Sequence, residues 1–558
     1  MKRREMRTGV ALHGIRLIAL MALMVSWIGE ACGQERFYYW VAFNDKVGSP
    51  FAIDRPSEYL SSRAMERRMR QRIAVDSMDL PVNPQYVTAL QQAGLEVRHR
   101  LRWQNGVVVR TTEALPDDFV QRYEFVREVK LCKHEVDTLH VDSPQVLSVT
   151  KRLQPDDSLS GVDYYGWSYP QIEQLAGEEL HRRGFEGQGI VIGVCDAGFP
   201  GVDTLSVYRE MRNEGRLLAM RDFVSMGEEP GYMGNHGMHV LSLMAVDRAG
   251  VYVGTAPKAT YVLCRTEDVE SETPLEEYNW IAAAEYLDSL GADIITTSLG
   301  YFDYDDSTQS YSLADLDGRT APMSRAAAIA VSRGMLLLNA AGNNGEDEFH
   351  QLNVPADVPE VLTVGAVENE GKWASFSSYG PTAAMVRKPD VVALGDGVMT
   401  VGEGGYLQIG SGTSYACPIM AGMMACLWQR YRVLNPRQLC DSVRAWGHLA
   451  VWPTDRCGYG IPDFSRATAG MLSINQESAV MRMRVYPNPA TDYVVVEIGE
   501  ESQGGVLTVS DAKGRNLTTH AVEGGICRIN TAQWPKGVYF LTFISKDGQR
   551  RSVAGFKL

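Results

Sequence analysis

Ile190-Val191-Ile192-Gly193-Val194-Cys195-Asp196 is an apolar run that ends on a carboxylate. A strand with one face in water alternates polar and apolar residues, whereas an unbroken run suits a strand covered on both faces. Comparable runs recur at 260–265, 293–298, 336–339 and 361–367. Helical patterns lie between them, notably 275–290, entered by Thr273-Pro274, and 324–333, stopped by Gly334. This alternation predicts an α/β domain over residues 166–470, a mainly parallel sheet covered by helices on both faces. Such sheets bind ligands outside the carboxyl ends of their strands. Asp196, Ser298 and Asn343 all fall at such ends.

Two further segments complete a chemical pattern: His236-Gly237-Met238-His239-Val240 and Gly412-Thr413-Ser414-Tyr415-Ala416-Cys417-Pro418. A serine hydroxyl attacks poorly until a base takes its proton, and that base needs a carboxylate to hold its tautomer. Asp196, His236 and Ser414 therefore read as orienting acid, general base and nucleophile of one relay. Residues 419–428 are apolar nearly all round, so their helix is predicted to be buried. Its N-terminus would aim free N–H groups and a positive dipole end at the reaction centre, with Pro418 tolerated in the first turn. His236 is predicted to lead into a second helix over 240–246, with Gly237 keeping its face open. Taken singly, Asp196 could be a helix cap, His236 a helix starter and Asn343 a turn residue. Taken together these bland readings require three coincidences.

The segments resemble those of the subtilisin-like serine proteases, the subtilases, over the middle half of the chain. The resemblance implies a subtilisin-like three-layer domain with Asp196, His236 and Ser414 as the triad and His239 as a bystander. It also implies that Asn343, in Ala340-Ala341-Gly342-Asn343, donates to the oxyanion. Ser298-Leu299-Gly300 would pair with bound peptide, and Gly254-Thr255-Ala256-Pro257 is a supporting match. Two positions depart from the family: Ala197 stands where Ser or Thr usually follows the aspartate, and Met238 where Thr is usual. Alignment on Pro355 and Val364-Gly365-Ala366 puts Asn353 where the family keeps glycine at the floor of the primary pocket, implying a shallower or more polar pocket. Structural calcium, frequent in the family, is left open because no ligand set stands out. Asp303, Asp305 and Asp306 read as a solvated loop. No metal ligand and no cofactor is named. The expected function is a secreted serine endopeptidase acting on protein or peptide substrates. The alternatives are a catalytically silent binding or adhesion protein on the same scaffold, and an esterase or peptide ligase using the same triad.

Composition sets the bounds. A chain of 558 residues is too long for one ordinary domain, and 45% hydrophobic with 22% charged residues is a globular balance. A net charge of −14 argues against a nucleic-acid partner, whose phosphates require a basic face. No phosphate-cradling G-x-x-x-x-G-K-[ST] loop and no Cys/His metal cluster occurs. Lys2, Arg3, Arg4, Arg7 and Arg16 precede an apolar run over 17–28, and Ala31-Cys32-Gly33 follows. That run is too short to span a bilayer, so 1–33 is predicted to be a signal peptide rather than a transmembrane helix. Eight of the nine cysteines would remain; Cys195, Cys264, Cys417 and Cys426 read as small buried hydrophobes, and a Cys440–Cys457 bridge is the weaker reading.

Residues 34–140 follow a β-α-β-β-α-β order, the ferredoxin-like arrangement. Before a catalytic unit of this resemblance, such a domain implies an inhibitory propeptide that assists folding. Its arginines Arg63, Arg67, Arg68, Arg70 and Arg72 read as a solvated helix face in preference to a dock on an acidic partner. A polar stretch, 141–165, is predicted to be a linker open to processing, and 471–482 a second linker. Residues 483–558 alternate in short strands separated by turns, predicting a small antiparallel β-sandwich. Tyr486-Pro487-Asn488-Pro489, Lys536-Gly537-Val538-Tyr539 and the basic end through Lys557 resemble the C-terminal sorting domain of the type IX secretion system. The implied partner is that machinery, and the implied destination is secretion or the outer-membrane surface by way of the periplasm. A carbohydrate-binding or adhesive module is the second reading.

Overall fold

The structure is a computed structural model. It describes residues 35–136, 161–226, 234–468 and, in the tail, 483–498, 505–511, 513, 515–522, 526–545 and 550–557. The expected signal peptide, the linker up to residue 160 and the linker at 471–482 lie outside the described residues.

The first domain comprises β1 (Glu35–Phe43), α1 (Ser62–Gln71), α2 (Pro84–Gln92), β2 (Glu96–Leu101), β3 (Gly106–Thr111), a short α3 (Phe119–Arg122) and β4 (Val126–Val136). Its sheet runs β2-β3-β1-β4, antiparallel throughout. Capping chemistry sets the helix starts: the Ser61 hydroxyl accepts from Ala64 N, and the Asn83 side chain accepts from Gln85 N.

The second domain holds seven parallel strands: β5 (Val191–Asp196), β6 (Leu217–Asp222), β7 (Thr260–Arg265), β8 (Ile294–Thr297), β9 (Leu336–Ala340), β10 (Leu362–Val367) and β11 (Val391–Leu394). Their order is β11-β10-β9-β8-β5-β7-β6. Helices α4 (His236–Ala245) and α7 (Thr413–Arg430) pack on one face of this sheet, and α5 (Leu275–Leu290) and α6 (Pro322–Ser332) on the other. Gly193 makes the α5 packing close, since a Cβ there would stand 2.4 Å from Leu287. Two strands escaped the sequence pattern. β6 is an edge strand with its residues only half buried, and β11 has four residues.

The arginine cluster on α1 corrects the expectation of a solvated face. Arg67 and Arg68 are buried against the second domain. Arg67 donates to the Asp288 carboxylate and to the Ala292 carbonyl, and Arg68 meets Asp288 at 2.9 Å. Arg102 reaches the same carboxylate at 2.6 Å. In the other direction Arg333 pairs with Asp79 at 3.2 Å, and Arg63 and Arg70 pair with Asp293. The spacing of an arginine-rich helix cannot reveal a buried aspartate more than 200 residues away. Around this network one apolar core runs across the boundary: Trp40, Leu101, Trp103 and Val108 join Tyr278, Ala284 and Leu287, and Trp40 stacks on Tyr278 at 5.1 Å.

The tail forms a separate unit. Three strands (Met483–Tyr486, Tyr493–Ile498, Ile526–Asn530) and four (Gly505–Asp511, Asn516–Val522, Gly537–Ser545, Arg550–Lys557) make two antiparallel sheets. Val496, Leu507, Val509, Leu541 and Phe543 lie in their shared core. Cys440 and Cys457 are free thiols.

Candidate active site

Asp196 ends β5 and is 1% exposed. Its Oδ1 accepts from His236 Nδ1 at 2.7 Å and from Ala197 N at 2.8 Å. Oδ2 is buried without a hydrogen-bond partner. The two departures noted in the sequence bear on this, because neither Ala197 nor Met238 carries a hydroxyl that could donate to it. His236 is the first residue of α4, which begins four residues earlier than expected. A Cβ at Gly237 would come within 2.7 Å of the Phe199 ring, so this glycine is what lets the helix start press against the loop after Asp196. Burial alone would lower the His236 pKa, but the Asp196 carboxylate outweighs it and the pKa stands above its ordinary value. His239 is buried, contacts Gln408, and burial lowers it to about 4, so it is neutral at ordinary pH.

Ser414 lies in the first turn of α7 after Gly412, whose φ of 155° opens the backbone there. A Cβ on Gly412 would fall 2.9 Å from Ser414 Oγ and 3.6 Å from Asn343 Nδ2, which places those two groups side by side. Thr413 holds the asparagine: its N–H and its hydroxyl both donate to Asn343 Oδ1, at 2.9 and 3.1 Å. The Asn343 amide is thereby left to face the cleft, and Ser414 N is among the helix N–H groups without an intrahelical acceptor. Sequence reasoning did not single out Thr413.

Pro418 is not in the first turn as expected. α7 begins at Thr413, so the missing N–H of Pro418 would have bonded the Ser414 carbonyl. Ser298 Oγ donates to that carbonyl instead, at 2.9 Å, a role the sequence did not disclose.

Asp196, His236, Ser298, Leu299, Gly300, Asn343, Asn353 and Ser414 line one cleft of about 360 Å³. Among the described residues no hydrogen bond joins Ser414 Oγ to His236; such bonds are commonly long until substrate is held. Asn353 fills the space beside Gly300, where a Cβ would stand 2.9 Å from its own, and Asn353 Nδ2 donates to Gly300 O at 3.0 Å. Glu267, not anticipated from sequence, is also in the wall. It accepts from the Tyr301 hydroxyl at 2.9 Å, and burial pushes it up to about 7. Its signal was positional: it follows β7, whose end is tied to Asp196 by the Thr266 N to Asp196 O bond of 2.9 Å. Glu267, Glu272 and Glu276 bring carboxylate oxygens within 4.8 Å of one another. Burial raises Glu272 to about 8 and Glu276 to about 10, which lessens the mutual repulsion of this group at neutral pH. Asp306 of the expected solvated loop is spent on Thr308 and Gln309.

Residues 187–451 match the subtilase family. The chain carries a subtilase domain. Residues 38–146 match the peptidase S8 propeptide domain of Bacteroidota, and residues 484–553 a secretion system C-terminal sorting domain. Subtilisin NAT of Bacillus subtilis subsp. natto is 28% identical over 306 residues, 53% of this chain and 72% of that protein. A thermophilic serine proteinase of Bacillus sp. strain AK1 is 30% identical over 247 residues, 44% of this chain and 53% of that protein. The thermostable alkaline protease of Halalkalibacterium halodurans is 29% identical over 361 residues, 64% of this chain and 87% of that protein. The chain is thus a serine endopeptidase that joins its subtilase domain to a propeptide domain and to a sorting tail that marks it for secretion. Among the described residues no helix is long and apolar enough to cross a membrane.

Proposed function

We propose that this subtilase hydrolyses peptide bonds through an acyl-enzyme on Ser414. His236 Nε2 takes the hydroxyl proton as Ser414 Oγ attacks the carbonyl, then returns it to the leaving amine. Water, deprotonated by the same nitrogen, releases the acyl group. Asp196 holds the imidazole through Nδ1 and stabilises the imidazolium. Asn343 Nδ2 and Ser414 N–H meet the oxyanion. The backbone of Ser298, Leu299 and Gly300 pairs with the substrate chain, and Asn353 makes the primary pocket shallow and polar. The observation that carries this reading is the 2.7 Å bond between His236 Nδ1 and Asp196 Oδ1, in the same cleft as Ser414 and Asn343. In this reading the chain is exported as a precursor, loses residues 1–33, is cut between its propeptide and catalytic domains, and is delivered to the outer-membrane surface by its tail.

A fluorophosphonate probe tests the chemistry. The processed protein should take one label, mapped to Ser414 by peptide mass, and Ser414→Ala should take none. Absence of labelling in correctly processed protein refutes the mechanism.

A further inference from the structure

The boundary between propeptide and catalytic domains matches charge with charge almost everywhere. Arg67, Arg68 and Arg102 share Asp288, Arg63 and Arg70 share Asp293, and Lys133 meets Asp268 at 2.8 Å. One groove breaks the rule. A cavity of about 430 Å³ at this boundary is lined by Arg98, His99, Arg100 and Arg102 of the propeptide and by Arg221 and Glu285 of the catalytic domain, among others. Arg102 is consumed by Asp288, and Glu285 is consumed by the backbone N–H groups of Arg102 and Trp103, at 2.8 and 2.9 Å. Arg98 pairs with Glu96 at 3.4 Å and donates to Val224 O across the boundary at 2.7 Å. Arg100 and Arg221 meet no carboxylate among the described residues. Arg221 lies over Phe223 and Tyr286, with its guanidinium carbon 5.3 and 4.9 Å from their ring centroids, and it also hydrogen-bonds the Tyr286 side chain.

Arg100 and Arg221 are both exposed, so water screens their repulsion in part, and an anion seated between them would turn it into attraction. Guanidinium groups offer paired N–H donors that fit a phosphate face, and a cavity of this size accommodates a small molecule. In a chain of net charge −14 the local excess of arginine is all the more specific. We propose that this groove binds a small phosphate-bearing anion, a diphosphate or phosphate ester, which bridges Arg100 of the propeptide and Arg221 of the catalytic domain. A ligand that needs both domains favours the associated form, so binding links its concentration to retention of the propeptide.

The test uses the full precursor carrying Ser414→Ala, which blocks self-processing, with inorganic pyrophosphate as probe and sodium chloride at equal ionic strength as control. Calorimetry should show one site, and the melting temperature should rise with pyrophosphate but not with chloride. Arg221→Gln should weaken binding at least tenfold. Arg100→Glu, at an exposed position, should melt no lower than the parent without ligand and should lose the pyrophosphate response, whereas Arg437→Ala, at an exposed arginine that does not line the groove, should keep it. No binding at millimolar pyrophosphate, or a response undiminished in Arg100→Glu, overturns the proposal.

Discussion

Thr413 and Ser298 show how much of the cleft is set by side chains that never meet the substrate carbon. Thr413 claims the oxygen of Asn343 and so determines which end of the amide faces the reaction. Asn343→Ala should cut kcat by roughly 100- to 1000-fold with KM little changed, the loss found when subtilisin itself is deprived of its asparagine donor. Steady-state kinetics on a peptide ester checks this. Ser298→Ala should lower stability by about 1–3 kcal/mol, because it strands the buried Ser414 carbonyl that Pro418 cannot serve. Denaturant unfolding measures that loss, and an unchanged midpoint would mean that water replaces the hydroxyl. Glu267 acts at longer range. Against the lowering effect of burial, His236 is raised chiefly by Asp196 and further by Glu267 wherever that group is ionised; the base must be neutral to accept a proton, so activity grows as pH climbs through the His236 pKa. Glu267→Gln keeps an acceptor for Tyr301 but removes the charge, so the His236 pKa should fall. The acidic limb of kcat/KM should then move to lower pH, and a limb that stays in place contradicts the coupling.

At the scale of elements, β5, β7, β8, β9 and β10 were readable because burial on both faces leaves unbroken apolar runs. β6, at the edge and half exposed, left no such run. The start of α7 was expected at Ser414 and lies one residue earlier: Gly412-Thr413-Ser414 was legible, but not that the helix already includes Thr413 and holds Pro418 in its interior. The α1 arginines were legible as residues and illegible as a face. Local composition cannot distinguish a wet stripe from one that closes on a distant acid. Burial would raise the Asp288 carboxyl, yet the surrounding Arg67, Arg102 and Arg68 hold it down at about 2. A group depressed in the folded state contributes stability above its ordinary value near 3.8 and loses that contribution as pH falls toward 2. The boundary between propeptide and catalytic domain should therefore loosen in that acid window. Asp288→Asn should remove the pH step and, by taking from Arg67 and Arg102 their only carboxylate while Arg68 keeps Asp79 at 2.7 Å, weaken the fold by about 3–5 kcal/mol at neutral pH. Thermal unfolding of the Ser414→Ala precursor across pH reads both effects.

For the molecule as a whole, the tail is a unit with a core of its own, whereas the propeptide, besides a core within itself, shares one with the catalytic domain. A chain ended at Thr468 should keep the thermal transition and peptidase activity of the longer form while failing to leave the cell. Loss of the catalytic transition on this truncation would show that the tail supports the fold. The domain order was legible, since each segment has its own periodicity. The union of propeptide and catalytic domain was not, because it rests on pairs such as Trp40 with Tyr278 and Arg67 with Asp288 that only the folded chain brings together. Those pairs also restrict exchange. A borrowed propeptide with other residues in place of Arg67, Arg68 and Arg102 would cap this enzyme with a naked interior anion at Asp288. Inhibitors built from foreign propeptides should therefore discriminate among these proteases by the far side of the domain, well away from the scissile cleft.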